Sequence, residues 1–581
     1  MSRSIAVGEQ RFEEIQANKL FYIDKTDFIT DWWRSYIPAT LITRPRRFGK
    51  SLMLDTIRSF FSNHSNNQKA IFQELSVWKD QEMRNLAGQF PVVSLSFSTT
   101  TGENLRAFQN AFITQIAEVY QSFPELLNSP NLTTFEQKAY QVVCSWSNDG
   151  ITALPDGPVR DAVLNTAATA IRDLCRFLHR HYGRKVIVLL DEYDTPMEEA
   201  WIHGYWDQIV PFVRRMMNAS FKANPSLSRA LITGITRICK ESIFSDLNNL
   251  QVATVSSNFF TASFGFTETE VIFALDEFGL SDKLAEVRNW YDGFTFGSRT
   301  DIYNPWSITK FLYERRFEAF WAETSDNALA GKAVAKADPS VKTAFESLLQ
   351  GRSAVVPLTD ALIFSDLDWD PASVWSLLLA NGYIKLLAQH ENGTGEVALT
   401  NKEMLITFEK LIKRWFGTSG NSYESFLQAL RKHDIKYMNV FLKKITLSSF
   451  SYFDVGGETE PERFYHGFVL GLLVSLSADF IITSNRESGF GRYDIMLEPR
   501  DRTRDDAFII EFKVREPDEE KSLEDTVHSA LDQIDRRAYA ADLINRNIPA
   551  SKIHRYGIAF SGKNVLIGEK NQKLIQPLPQ H

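Results

Sequence analysis

Short apolar runs alternate with amphipathic helical segments over the first 265 residues, a pattern typical of a parallel α/β sheet. The predicted strands are 39–43, 91–97, 186–190 and 230–236, and the predicted helices are about 50–63, 103–122 and 161–182. The run from Val186 to Leu190 is uninterrupted, as expected for a central strand that is buried on both faces. Residues 125–160 are rich in polar, Pro and Gly positions and predict an insertion.

Helical patterns continue beyond residue 265, with turn residues between them. Residues 266–330 predict a small helical lid, and residues 331–450 predict a helical connector without a cluster of catalytic side chains. Near the C-terminus, predicted strands at 479–483, 491–497 and 507–514 are followed by a predicted helix at 522–546. We therefore expect four folding units, with boundaries at 1–265, 266–330, 331–450 and 451–581.

A phosphate-binding loop is predicted where the first strand meets the next helix. The segment that starts at Leu41 reads L-I-T-R-P-R-R-F-G-K-S-L, in the order of buried strand, tight turn and helix N-terminus. Backbone N–H groups and the helix dipole hold phosphates in such a turn. The residues assigned to nucleotide binding here are Arg47, Phe48, Gly49, Lys50 and Ser51. Lys50 is expected to reach the β- and γ-phosphates of ATP, and the Ser51 hydroxyl is expected to bind Mg²⁺. The full motif has glycine where this chain has Arg44, so ATP binding needs independent support.

That support comes from two acids at the end of the apolar run 186–190. Asp191 follows the strand directly and is predicted to bind Mg²⁺, as the Walker-B aspartate does. Glu192 is placed next to it, where it would polarise an attacking water. Two solvated acids at a strand end are common. Downstream of G-K-S and before a further strand, however, the metal-binding interpretation is favoured.

The strand predicted at 230–236 ends in polar residues that could sense the γ-phosphate of ATP. Thr233 and Thr236 are the candidate polar sensors, and Arg237 is the candidate cationic sensor. Threonine is common in strands for structural reasons alone, and the sequence leaves both interpretations open.

A second set of ionisable residues occupies two neighbouring predicted strands near the C-terminus. Asp494 lies on one strand, and Glu511 and Lys513 lie two residues apart on the next, on one face of it. Burying such groups is costly unless they pair or bind a metal ion. Asp494 and Glu511 offer oxygen ligands suited to Mg²⁺ or Mn²⁺, which would activate water for phosphodiester cleavage with Lys513 beside it. An edge strand with solvated charges is the alternative interpretation.

Composition and charge favour an ordinary globular protein over a membrane, secreted or strongly basic nucleic-acid-binding one. The chain of 581 residues has a net charge of −8, which gives no overall basic surface for nucleic acid. It contains three widely spaced cysteines, typical of reduced thiols, and no apolar run near the ~20 residues of a membrane helix. The N-terminus lacks the apolar core of a signal peptide, so a cytoplasmic location is expected.

The sequence resembles a group of prokaryotic proteins that pair an AAA-like ATPase domain with a C-terminal PD-(D/E)XK-superfamily nuclease domain. The segments that carry the resemblance are Y-I-D-K-T at Tyr22, R-P-R-R-F-G-K-S at Arg44, L-D-E-Y-D at Leu190, S-D-L-N-N at Ser245, F-G-F-T at Phe264, Y-N-P-W-S at Tyr303, Y-H-G at Tyr465, G-R-Y-D at Gly491, E-F-K at Glu511 and the helix from Ala530 to Tyr539. The resemblance spans nearly the whole chain and is weakest over about 320–450.

The resemblance implies an α/β fold class. It consists of an N-terminal P-loop NTPase with a parallel sheet flanked by helices, a helical lid, and a C-terminal α/β restriction-endonuclease-like domain. It implies ATP and Mg²⁺ or Mn²⁺ as cofactors and accounts for Arg44 as a family trait. It also places Glu462 as an acidic metal ligand on the helix before the nuclease core, and Gln533 on the helix after it.

Two functional hypotheses follow. In the first, the ATPase domain controls metal-dependent cleavage of nucleic acid, with DNA favoured over RNA as substrate. In the second, nucleotide drives a regulatory switch, and the C-terminal domain binds nucleic acid or a protein without cutting. Five arginines could contact phosphates of a nucleic acid or could be solvated surface charges. They are Arg492, Arg502, Arg504, Arg536 and Arg537. The sequence leaves a homo-oligomeric assembly open.

Overall fold

The computed structural model describes residues 3–64, 68–222, 224–237, 249–321, 328–337, 339–359, 366–367, 370–415, 420–453, 471–472, 475–486, 492–516, 519–536, 539–561 and 564–570. The chain divides into two compact units. The first comprises Met1–Leu329, Pro357–Leu367 and Trp375–Met404, and the second comprises Ala330–Val356, Asp368–Val374 and Leu405–His581. The four boundaries expected from the sequence stay predictions.

The strands, in chain order, are β1 (Ala39–Thr43), β2 (Val92–Ser96), β3 (Val186–Asp191), β4 (Leu227–Gly234), β5 (Leu250–Ala253), β6 (Phe266–Thr267), β7 (Phe294–Phe296), β8 (Arg299–Tyr303), β9 (Ala354–Pro357), β10 (Ile384–Gln389), β11 (Thr394–Leu399), β12 (Phe480–Arg486), β13 (Arg492–Pro499), β14 (Ala507–Val514), β15 (Ile553–Ser561) and β16 (Asn564–Glu569).

The α-helices of the first unit are Phe12–Ala17, Asp27–Arg34, Lys50–Phe61, Gln68–Ile71, Gln81–Leu86, Leu105–Gln121, Thr134–Cys144, Asn148–Ala153, Pro158–Ala167, Ala170–Tyr182, Thr195–His203, Trp206–Met217, Glu268–Glu277, Leu284–Tyr291 and Pro305–Glu314. Those further along the chain are Ala328–Lys336, Pro339–Leu349, Pro371–Ala380, Lys402–Trp415, Gly420–Arg431, Ile435–Phe453, Leu523–Arg536 and Tyr539–Asn545.

The N-terminal sheet has the strand order β2-β3-β4-β1-β5, and its pairs run parallel. Every residue of β1 and β3 is buried, which explains the uninterrupted apolar runs that predicted them. The strand β4 lies between β1 and β3, so the carboxyl ends of these three neighbours meet at one edge of the sheet. The parallel α/β arrangement expected from the sequence is confirmed.

The segment predicted as a helical lid contains helices but also strands. Thr267 and Glu270 form the expected capping box, and Asn304 caps the helix that starts at Pro305. In addition, β6, β8 and β7 form an antiparallel sheet that the helical interpretation of 266–330 omitted. These strands have two to five residues, too few to show a strand period in the sequence.

The stretch 331–450 was likewise expected to be helical, and this expectation is wrong for the three-stranded sheet β10-β11-β9. Strands β10 and β11 pair antiparallel, and the turn between them includes Asn392 and Gly393. An Asn-Gly pair between apolar runs is a strong hairpin signal, which the helical interpretation passed over.

The C-terminal sheet has the order β12-β13-β14-β15-β16. Strands β13 and β14 are antiparallel, whereas β14 and β15 are parallel. Apolar residues of β14 and of the helix Leu523–Arg536 form one core, which includes Ile509, Val527 and Leu531. The expected helix 522–546 is divided into two, Leu523–Arg536 and Tyr539–Asn545. None of the helices in the described ranges is long and apolar enough to cross a bilayer.

Candidate nucleotide and nuclease sites

The phosphate-binding loop lies between β1 and the helix Lys50–Phe61. Gly49 caps this helix in the left-handed conformation, with φ of 82°. Arg47 is also left-handed, with φ of 66°, and its guanidinium lies 4.6 Å from the ring of Trp306. Phe48 is buried and packs against Phe294, with 4.8 Å between ring centroids. The turn is therefore held by side chains on both sides, while its backbone leads directly into a helix N-terminus.

Lys50 is buried, and its ammonium group is engaged with the loop itself. Nζ donates hydrogen bonds to the backbone carbonyls of Arg44 and Pro45, each at 2.8 Å. Burial lowers the pKa of Lys50 to about 8. A triphosphate in this loop would offer the ammonium group anionic acceptors in place of two carbonyls.

Asp191 at the end of β3 accepts hydrogen bonds from the helix that follows β1 and from the neighbouring strand β4. The Ser51 hydroxyl donates to Oδ2 of Asp191 at 2.5 Å, and the Thr233 hydroxyl donates to Oδ1. A hydroxyl and a carboxylate held this close are oxygen ligands of the kind that Mg²⁺ takes in phosphoryl-transfer sites. The donor set therefore fits the ion that the sequence predicted, with Thr233 as an additional member.

Asp194, which was not among the predicted site residues, organises the backbone at the end of β4. Its Oδ2 accepts hydrogen bonds from the backbone N–H groups of Ile235 and Thr236, at 2.7 and 2.8 Å, and from the Thr236 hydroxyl at 3.0 Å. Gly234 permits this approach, because a Cβ there would lie 2.6 Å from Oδ1 of Asp194. Thr236 is thus fully buried and bound to Asp194, and the half-buried Arg237 follows it. Their role as γ-phosphate sensors stays a prediction.

Glu192 lies one residue beyond Asp191 and adopts a left-handed backbone conformation, with φ of 51°. Burial, and next the negative charge of Asp191, raise the pKa of its carboxyl group. A carboxylate with a raised pKa is a better proton acceptor than an exposed glutamate.

Nearby, the guanidinium of Arg46 pairs with the buried carboxylate of Glu198 at 3.2 Å. This second ion pair at the same edge of the sheet was not anticipated from the sequence.

Arg44 occupies the position where the full motif has glycine, and its side chain is fully buried. The guanidinium donates to the carbonyls of Thr43, Ala253 and Thr254 at 2.8–3.0 Å. It also lies over the ring of Phe296, 4.6 Å from its centroid. Arg44 therefore bonds the end of β1 to the end of β5, and burial lowers its pKa to about 9. This structural role explains why an arginine can replace the first glycine of the motif.

The carbonyl of Arg46 in the loop is held from the segment that follows β8. Asn304 Nδ2 donates to it at 3.5 Å, and Trp321 Nε1 donates to it at 3.0 Å. The backbone N–H of Trp321 in turn donates to the buried Glu403 at 2.6 Å, and Ser307 Oγ donates to the same carboxylate at 2.8 Å. Burial raises the pKa of Glu403 to about 8. Sequence reasoning missed Glu403, since nothing in its helical surroundings distinguishes it from a surface acid.

In the C-terminal sheet, Asp494 on β13 stands directly opposite Glu511 on β14. Directly opposed residues of an antiparallel pair share one face of the sheet, with Cβ atoms about 4.5–5.5 Å apart. The register therefore meets the main geometric requirement for the pair of metal ligands that the sequence predicted.

Glu511 and Lys513 share a face, as the two-residue spacing predicted, and this face packs against the helix Leu523–Arg536. Glu511 is fully buried and accepts a hydrogen bond from Nε2 of Gln533. Lys513 donates to the hydroxyl of Ser529, one helical turn earlier, and its ammonium lies 3.9 Å from Glu520. A buried glutamate, a lysine on the same face and an aspartate at the opposed position are residue types suited to a divalent cation and a phosphate.

Glu462, the predicted acid on the preceding helix, lies outside the described residues. Of the five candidate arginines, two are engaged with acids of the same domain. Arg502 pairs with Glu498 at 3.1 Å, and Arg504 pairs with Asp479 at 2.5 Å. These two pairs favour the interpretation of solvated surface charges at both positions.

Comparisons with known proteins match two separate parts of the chain. A family described as "Predicted AAA-ATPase" matches residues 6–244, and the PD-(D/E)XK nuclease superfamily matches residues 460–570. A protein of Azotobacter chroococcum mcd 1, described as "Uncharacterized protein in vnfD 5'region", is 26% identical over 400 residues, which cover 66% of this chain and 65% of that protein. The chain thus contains a domain of the predicted AAA-ATPase family followed by a domain of the PD-(D/E)XK nuclease superfamily.

Proposed function

We propose that this protein is an ATP-dependent nuclease, in which ATP and Mg²⁺ at the N-terminal site control metal-dependent cleavage of phosphodiester bonds at the C-terminal site. The observation that carries the proposal is the register that sets Asp494 opposite Glu511, with Lys513 on the same face as Glu511. DNA is the proposed substrate, and the cytoplasm the proposed location.

At the N-terminal site, the proposed roles follow from the hydrogen bonds. Lys50 would exchange its loop carbonyls for phosphate oxygens, and Ser51 and Asp191 would hold Mg²⁺, which neutralises phosphate charge. Glu192 would accept a hydrogen bond from the attacking water and polarise it, since its raised pKa makes its carboxylate a stronger base.

At the C-terminal site, Asp494 and Glu511 would bind Mg²⁺ or Mn²⁺, with Glu462 as a further ligand. The metal ion supplies an activated water and neutralises charge on the scissile phosphate. Gln533 donates a hydrogen bond to Oε1 of Glu511, which would orient this carboxylate for the metal ion. Lys513 lies two residues from Glu511 on the same face of β14, where its ammonium group would orient water and neutralise a phosphorane.

The test is a cleavage assay with single- and double-stranded DNA and RNA, in Mg²⁺ or Mn²⁺, with and without ATP. We expect Asp494→Ala, Glu511→Gln and Lys513→Ala each to lower cleavage at least a hundredfold, while the exposed Lys521→Ala leaves it unchanged. We expect Lys50→Ala to remove the ATP dependence. Cleavage that survives Asp494→Ala and Lys513→Ala would contradict the nuclease assignment, and nucleotide-dependent binding of nucleic acid without cutting would support the regulatory switch instead.

A further inference from the structure

Two histidines and an aspartate converge in the C-terminal domain, away from the residues discussed so far. Oδ2 of Asp506 lies 3.3 Å from Nε2 of His433 and 3.1 Å from Nε2 of His554. The three ligand atoms all lie within 4.8 Å of one another. His433 is in the turn between two helices, Asp506 precedes β14, and His554 lies near the start of β15, so three separate segments meet here.

This cluster is on the opposite face of the sheet from Glu511. Successive side chains of β14 alternate between faces, and Ile509 packs with the helix that carries Gln533. Phe508 points to the other face, where its ring lies 5.7 Å from His433 and 5.8 Å from His554. Asp506 is also five residues before Glu511, or about 16 Å along the strand. The cluster is therefore separate from the proposed nuclease centre.

The spacing of the ligand atoms matches a four-coordinate transition metal. Zn²⁺ bonds of about 2.0–2.1 Å at tetrahedral angles place neighbouring ligand atoms about 3.3 Å apart. The two nitrogen–oxygen separations, 3.3 and 3.1 Å, agree with that value. Two imidazoles with one carboxylate suit Zn²⁺, whereas Mg²⁺ prefers oxygen ligands throughout.

A second carboxylate orients one of the imidazoles. Nδ1 of His554 lies 3.4 Å from Oε1 of Glu569 on β16. A proton on Nδ1, donated to Glu569, leaves the lone pair of Nε2 facing Asp506, which is the arrangement that metal-bound histidines use. The two histidines approach Oδ2 of Asp506. The other carboxylate oxygen, Oδ1, lies 3.6 Å from Nζ of Lys552.

We propose that His433, Asp506 and His554 bind one Zn²⁺ as a structural ion, with a water molecule as the fourth ligand. The ion would join the turn at His433 to the starts of β14 and β15. The rings of His433 and His554 stack with 3.7 Å between centroids and 18° between planes, so one ring would turn as both Nε2 atoms bind the ion.

The test measures zinc bound to the full chain after chelator treatment and gel filtration, in excess Mg²⁺. We expect one Zn²⁺ per chain for the wild type and for the Asp494→Ala, Glu511→Gln double variant. His433→Ala and His554→Ala should each weaken binding at least a hundredfold, and Glu569→Gln should weaken it roughly ten- to a hundredfold. The exposed His528→Ala is the matched control and should bind normally.

Zinc binding that survives His433→Ala and His554→Ala, or that is lost in the nuclease-site double variant, would overturn the proposal. Because a histidine variant could fail to fold, Co²⁺ is added to the wild type as an independent measurement. We expect visible absorption bands of a four-coordinate site, which added Zn²⁺ removes. Absence of these bands would mean that the histidines only share protons with Asp506, whether or not the protein is a nuclease.

Discussion

The Ser51 hydroxyl donates a hydrogen bond to Oδ2 of Asp191 at 2.5 Å, across 140 residues of chain. The parallel sheet produces this contact, because β1 and β3 end at the same edge with only β4 between them. The sheet order thus brings the phosphate-binding loop to Asp191, the predicted Mg²⁺ ligand.

Removing the Ser51 hydroxyl should weaken binding of Mg²⁺–ATP without weakening binding of metal-free ATP. We expect Ser51→Ala to raise the Kd for a fluorescent ATP analogue about tenfold or more in Mg²⁺, and to leave it nearly unchanged in EDTA. Ser51→Thr keeps the hydroxyl and should behave like the wild type. Equal losses for Ser51→Ala with and without Mg²⁺ would show that the hydroxyl does not act through the metal ion.

Affinity for ATP should fall above about pH 8. Burial lowers the pKa of Lys50 to about 8 in the nucleotide-free protein, so above that pH the lysine must take up a proton before it can pair with phosphate. We expect the Kd to be flat just below pH 8 and to rise up to about tenfold per pH unit above it. Isothermal titration over this range checks the slope, and Lys50→Ala should bind weakly with no inflection. A wild-type Kd that stays constant to pH 9.5 would contradict the prediction.

Restoring the glycine of the full motif should destabilise this protein. Arg44→Gly would leave buried carbonyls at the ends of β1 and β5 without their donor, at a cost of about 3–5 kcal/mol. We expect the thermal midpoint of the N-terminal domain, followed by near-ultraviolet circular dichroism, to fall by roughly 10 °C. Arg47→Gly is the matched control, because its left-handed backbone suits glycine, and should change stability by about 1 kcal/mol or less. An unchanged midpoint for Arg44→Gly would rule out the structural role.

Gln533 should position Glu511 for metal binding, if the proposed nuclease activity holds. Without the hydrogen bond from Gln533, the carboxylate of Glu511 is less well oriented, so Gln533→Ala should need about tenfold more Mn²⁺ for half-maximal cleavage. Saturating Mn²⁺ should restore most of the rate, which a general folding defect would not allow. Asp532 is exposed and adjacent to Gln533, so Asp532→Ala is the control. Its Mn²⁺ concentration for half-maximal cleavage should match that of the wild type. A lowered rate with unchanged metal dependence would exclude this role.

Glu403 should make stability depend on pH. Its pKa is about 8 in the folded protein and about 4.3 when unfolded, so the protonated carboxyl favours folding. This contribution is complete below about pH 4.3 and is lost as the pH rises through 8. Glu403→Gln imitates the protonated form, so its thermal midpoint should exceed that of the wild type above pH 8 and approach it near pH 5. A difference that does not vary with pH would contradict the assigned pKa.

Much of the fold follows from local patterns. The strands β1, β3 and β14 were predicted because their apolar runs have the length and continuity of buried strands. Strands β7 and β8 were missed because they have only three and five residues and no continuous apolar run. The hairpin β10–β11 was missed because the Asn-Gly signal in its turn was passed over. The single helix expected at 522–546 is two helices, Leu523–Arg536 and Tyr539–Asn545. The sequence between them contains no glycine or proline that would have predicted a break.

The sequence by itself determined the groups whose members are neighbours along the chain. The loop Arg47–Ser51 is contiguous, and Glu511 and Lys513 share a face because the strand period is two residues. Only the tertiary structure decided which contacts complete these groups: Asp194 with the backbone that follows β4, Gln533 with Glu511, and Arg44 with the end of β5. It also brought His433, Asp506 and His554 together from three segments. The physical reason is that strand order and register fix such contacts, and both depend on packing between parts of the chain that no local pattern connects.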